Sequence, residues 1–80
     1  MSVLDAKHLA SHVARQARLT NGQAEDAINA IGTVIIKQLQ NGHAVALDGF
    51  GLFEVAERED GVRALRVRQA KRVRETLNED

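Results

Sequence analysis

This 80-residue chain predicts an α+β fold: two N-terminal helices, a three-stranded antiparallel sheet and a short C-terminal helix. Three observations carry the prediction. Apolar residues recur at helical spacing as far as residue 40. They then alternate with polar ones around glycine turns at Asp48-Gly49 and Asp60-Gly61, and they return to helical spacing after Arg68.

Ser2 with Asp5 three residues on makes a capping-box-like start. The stripe Leu4, Ala6, Leu9, Ala10, Val13, Ala14 and Ala17 then predicts a first helix over residues 3–17. Thr20-Asn21-Gly22-Gln23 is a fuller capping box, with Leu19 placed to staple onto Ala24, so a second helix starts near Asn21. Its apolar positions Ala24, Ala27, Ile28, Ile31, Val34, Ile35, Ile36 and Leu39 form more than one stripe, which implies burial on two sides and a partner subunit. Asn41-Gly42 supplies a left-handed stop. Gly32, inside the helix, costs about 1 kcal/mol relative to Ala, and a close helix crossing is the expected compensation. His43 is read as opening the first strand.

Asp48-Gly49, between Val45-Ala46-Leu47 and Leu52-Phe53-Glu54-Val55, reads as a tight hairpin turn. Phe50 and Phe53 are the only aromatic residues, each able to remove roughly 150–250 Å² from water, and they are expected at the centre of the core. A three-residue loop Glu59-Asp60-Gly61 sets Phe53 opposite Val67, Val55 opposite Leu65, Glu57 opposite Arg63 and Glu54 opposite Arg66. A two-residue loop at Asp60-Gly61 would set Val55 against Arg66. The first register gives one apolar face and one of complementary charge pairs, and is preferred. Ala70, Val73 and Leu77 then mark the closing helix. Lys71, Arg72 and Arg74 are placed toward its N-terminal end and Glu75, Glu79 and Asp80 toward its C-terminal end, against the helix dipole in each case.

Composition narrows the function. There is no cysteine, hence no disulfide and no Cys-based zinc site. No apolar run approaches the ~20 residues of a membrane-spanning helix, and no secretory signal pattern opens the chain, so a cytoplasmic protein without membrane contact is expected. His8 and His12 lie i, i+4 but lack a third ligand, so no metal site is expected. No nucleophile or acid accompanies His43, and Gly49-Phe50-Gly51 lacks the following helix a phosphate loop needs, so neither an enzyme nor a cofactor is expected. Formal net charge is zero, but six bases and no acid fall within residues 61–74, leaving five bases and all eleven acids elsewhere. The bland reading of residues 58–74 is a solvated surface with Glu57, Glu59 and Glu75 as local partners. The functional reading is phosphate contact by Arg58, Arg63, Arg66, Arg68, Lys71, Arg72 and Arg74, of which Arg63 and Arg66 have acidic neighbours and Arg68, Lys71, Arg72 and Arg74 are the strongest candidates.

Gly49-Phe50-Gly51-Leu52-Phe53, together with the stretch from Val67 to Asn78, resembles the signature and closing segment of the HU and integration host factor family of bacterial DNA-bending proteins. The resemblance spans nearly the whole chain. It implies a single HU-like domain over residues 1–80, forming an intertwined homodimer whose core takes Ile28, Ile31, Ile35, Leu39, Leu47, Phe50, Phe53, Val55, Leu65 and Val67. It also implies a nucleoid location and backbone contact by Lys71, which matches a DNA-contacting lysine of the family. Two departures stand out: Val67 replaces a usual aromatic, and the long β-ribbon arm with its intercalating proline has no counterpart. Weak, salt-dependent, non-specific DNA binding with little bending is therefore expected. The alternative is an interaction module that pairs with a full-length HU-type subunit and limits its action on DNA.

Overall fold

A computed structural model describes residues 2–79. The chain divides into two compact units, one ending at Ile36 and the other starting at Lys37. The first unit holds α1 (Ala6–Ala17) and most of α2 (Asn21–Gln40). Its small core is Ala10, Ala14 and Ala24, with Val13 and Ile28 packed against it. Each of those alanine methyls contributes only about 1 kcal/mol of burial, so the core of this unit buries little apolar surface.

Helix α1 starts three residues later than the capping-box reading places it. Asp5, in extended conformation, is itself the cap, and its carboxylate accepts from the His8 backbone N–H at 3.0 Å. This satisfies an orphan N–H in the first turn, whereas Ser2, Val3 and Leu4 stay exposed outside the helix. That backbone N–H, and then the His8 imidazole at 2.6 Å, hold the Asp5 carboxyl below its usual value. The helix ends on Arg18, a non-glycine residue at φ +60. Its N–H and that of Leu19 both return to the Ala14 carbonyl. The Thr20 box forms as the sequence predicts: Thr20 N–H donates to Gln23 Oε1 at 3.0 Å, and Gln23 N–H to Thr20 Oγ1 at 3.1 Å.

In the second unit α2 closes in a Schellman arrangement. Gly42 adopts φ +89, its N–H reaches Leu39 O, and His43 N–H reaches Gln38 O. His43 therefore belongs to the helix cap, and the first strand starts only at Val45. Strands β1 (Val45–Leu47), β2 (Gly51–Glu57) and β3 (Arg63–Gln69) form an antiparallel sheet in the order β1-β2-β3. Phe50 lies outside the strands in the first turn. Its N–H donates to Leu47 O at 2.9 Å, with Gly49 at φ +77 in the position a type II turn reserves for glycine. Phe50 O in turn accepts from Ala70 N–H, anchoring the start of α3 (Lys71–Leu77) to that turn.

The β2–β3 register matches the three-residue-loop reading at every predicted pair: Phe53 faces Val67, Val55 faces Leu65, Glu57 faces Arg63 and Glu54 faces Arg66. The loop closes through Arg58 N–H to Val62 O and Gly61 N–H to Arg58 O, with Gly61 at φ +84. Asp60 Oδ1 accepts from Val62 N–H at 3.0 Å. Gly61→Val is expected to destabilise this hairpin by about 1–2 kcal/mol, because a β-branched side chain is strained at positive φ whatever space surrounds it. An unchanged melting temperature in that variant would show that the loop escapes the left-handed conformation.

Three expectations need correction. Phe50 is 53% exposed and Phe53 half-buried, so within one chain they do not centre a core. Their rings do pack on each other, tilted by 50° at 5.9 Å between centroids. The alternation that places Phe53, Val55, Leu65 and Val67 on one sheet face leaves that face poorly covered, with Leu65 57% and Val67 48% exposed. Gly32 has nothing within 4 Å of the point a Cβ would occupy, so no close crossing forms there among the described residues. Arg74 falls in the last turn of α3, where the dipole favours it, so only Lys71 and Arg72 are misplaced toward the N-terminus.

Candidate nucleic-acid interface

Strand alternation places Leu52, Glu54 and Ala56 of β2 on the same sheet face as Ala64, Arg66 and Arg68 of β3. Glu54 stands directly opposite Arg66 and diagonally from Arg68. Its Oε1 accepts from Arg66 Nε at 2.9 Å and lies 2.6 Å from Arg68 Nε. Arg68 is thus engaged by a carboxylate, contrary to its reading as free of acidic partners. The diagonal i, j+2 relation between facing strands was the signal that could have shown this. Arg63, by contrast, makes no ion pair with the facing Glu57 among the described residues. It borders an open recess with Leu39, His43, Glu54 and Val55. Arg58 approaches Asp60 at 3.5 Å across the tip of the hairpin.

Beyond β3 the basic residues continue onto α3. Lys71 and Arg72 occupy its first positions, and both are exposed. The Arg72 guanidinium lies over the β1–β2 turn, its Cζ 3.1 Å from where a Gly49 Cβ would sit. A side chain at Gly49 would push it away. Arg74 is exposed, and its carbonyl accepts from Asn78 Nδ2 at 2.7 Å. No described ion pair involves Lys71, Arg72 or Arg74. Two of the three histidines lie elsewhere, His8 on Asp5 and His12 beside Arg15 at 3.4 Å. Among the described residues no three His, Cys, Asp or Glu side chains gather as metal ligands, and no helix is long and apolar enough to cross a membrane.

The family described as bacterial DNA-binding protein matches residues 4–73. The chain belongs to the HU and integration host factor family. It is similar to the DNA-binding protein HRL18 of Rhizobium leguminosarum, at 38% identity over 56 residues, which is 70% of this chain and 62% of that protein. It is also similar to the DNA-binding protein HU of Lactococcus lactis, at 44% identity over 50 residues, or 62% of this chain and 55% of that protein. The matches thus span less than two thirds of these curated relatives. Among solved structures it resembles Anabaena HU in a cocrystal with DNA, with a TM-score of 0.79 and 24% identity over 96% of this chain and all of that one. A mutant HU from Thermotoga maritima superposes with a TM-score of 0.77 at 24% identity, over 94% of this chain and all of that one. At this identity the likeness carries the fold, and the HU-like α+β architecture is that fold.

Proposed function

We propose that this HU-family chain is a non-enzymatic architectural protein that contacts DNA phosphates as a homodimer, without sequence preference and with little bending. The observation that carries the reading is the continuous run of exposed cations from β3 into α3: Arg66 and Arg68 on one sheet face, then Lys71, Arg72 and Arg74. Guanidinium groups suit bidentate phosphate contact, and a two-fold dimer would present the run twice. Arg63 and Arg58 contribute from the hairpin, whose short tip carries Glu57, Glu59 and Asp60 as well and does not suit entry into an electronegative groove.

The dimer supplies what one chain lacks. Exposed Ile31, Leu47, Phe50, Leu65 and Val67, with half-buried Ile28, Ile35, Phe53 and Val55 and buried Leu39, form the proposed core. In this reading residues 1–80 act as a single HU-like domain located at the nucleoid. The four-fold replacement of Arg68, Lys71, Arg72 and Arg74 by Ala is expected to abolish duplex binding while the dimer persists, as measured by gel shift and sedimentation. For the unmodified protein, log K should fall with log salt at about −0.9 per phosphate neutralised, and duplexes of different sequence should bind alike. No binding at ~50 mM salt would overturn the reading, and co-purification with a full-length HU-type subunit would then favour the interaction-module alternative.

A further inference from the structure

We infer that Glu54 is a positioning residue for phosphate recognition: it holds two arginines by their Nε groups so that their outer N–H groups face a phosphate backbone. This rests on the phosphate-contact reading above. One carboxylate oxygen meets Arg66 Nε at 2.9 Å and Arg68 Nε at 2.6 Å. Each guanidinium has five N–H donors, and the contact with Glu54 uses no more than one of them on either arginine. The Arg66 contact is a hydrogen bond and the Arg68 contact an ion pair, and neither arginine side chain makes any other hydrogen bond among the described residues. The exposures are graded in the same sense: the Glu54 side chain is 20% exposed, that of Arg66 51% and that of Arg68 63%. The acid is therefore the more buried partner, and both arginine side chains stay open to solvent.

A carboxylate beside two phosphate-binding arginines could instead act as a competitor that DNA must displace. The geometry points the other way. A competitor would cover the η nitrogens, whereas this carboxylate touches the Nε positions and leaves the cluster with a net positive charge. Long arginine side chains lose rotamer freedom when they bind, and a tether made before the ligand arrives removes part of that loss. Glu54 can serve both arginines because they are two residues apart on β3, on one face, with Glu54 opposite one and diagonal to the other.

The two roles predict opposite signs. Simple charge removal, or relief of competition, makes Glu54→Ala bind a short DNA duplex more tightly. Positioning makes it bind about tenfold more weakly, while Glu54→Gln, which keeps an acceptor at the same reach, stays within about threefold of the unmodified protein. Duplex titrations at several salt concentrations would measure this, with circular dichroism confirming that each variant is folded. Glu54→Thr, which suits a strand but cannot reach the arginines, replaces the Ala variant if that one fails to fold. Nitrogen-15 spectra of the free protein should show the Arg66 Nε–H signal protected from exchange, and lost in Glu54→Ala. Tighter or unchanged binding by the Ala and Thr variants, with the unmodified protein binding normally, overturns this inference alone. Failure of the unmodified protein to bind duplex at ~50 mM salt overturns the functional reading and this inference with it. In that case the Arg66 Nε–H signal still reports whether the clamp exists.

Discussion

Phe53→Ala is expected to remove the dimer and with it most of the folded population. Phe53 is half-buried in one chain, on the same sheet face as Val55, Leu65 and Val67, and its ring packs on Phe50. In the proposed dimer a second subunit completes the burial of that face, and truncating a large aromatic in a finished core costs about 3–5 kcal/mol. For a domain whose single-chain core is mainly alanine, that is comparable to the whole stability. The unmodified protein should sediment as a dimer, with a melting midpoint that rises with concentration, and the variant should lose both properties. A folded monomer persisting at micromolar concentration, in either protein, would remove the proposed architecture.

Gly51→Val should be nearly as damaging, for a different reason. A Cβ at Gly51 would stand 2.9 Å from the Arg68 carbonyl oxygen and 3.4 Å from Val67 Cγ1. The first of these is backbone in the facing strand, so no side-chain rotation relieves it. Either the β2–β3 ladder shifts or the strand end unpairs, at a cost of about 3 kcal/mol or more. The displaced strand carries Arg68 and leads into α3, so duplex binding should fall together with the melting temperature. Retention of both within experimental error would show that the ladder yields at little cost.

The hairpin register was legible because it rests on local chemistry. Gly61 marks the left-handed position, and only one loop length puts Glu54 beside Arg66 and Phe53 beside Val67. The helix ends at Thr20 and Gly42 were legible for the same reason, since a cap is a contact between residues three to five apart. The start of α1 was misread because Ser2 and Asp5 both qualify as caps. Which one serves depends on where the chain leaves the helix, a difference of one turn that side-chain type does not decide. Arg18 at positive φ left no sequence signal, because glycine or asparagine normally marks such a site.

The amino-acid sequence alone determined the element order, the strand register, the family resemblance and the concentration of basic residues between positions 61 and 74, since each follows from residue type and spacing along the chain. Only the tertiary structure decided how those cations divide. Arg66 and Arg68 share one oxygen of Glu54, Arg72 lies over Gly49, and Arg63 is left without its facing glutamate. It also decided that Phe50 and much of the apolar sheet face remain open in a single chain. The physical reason is the same in both cases: pairing and burial depend on side-chain directions and cross-strand diagonals in three dimensions, which spacing constrains but does not select.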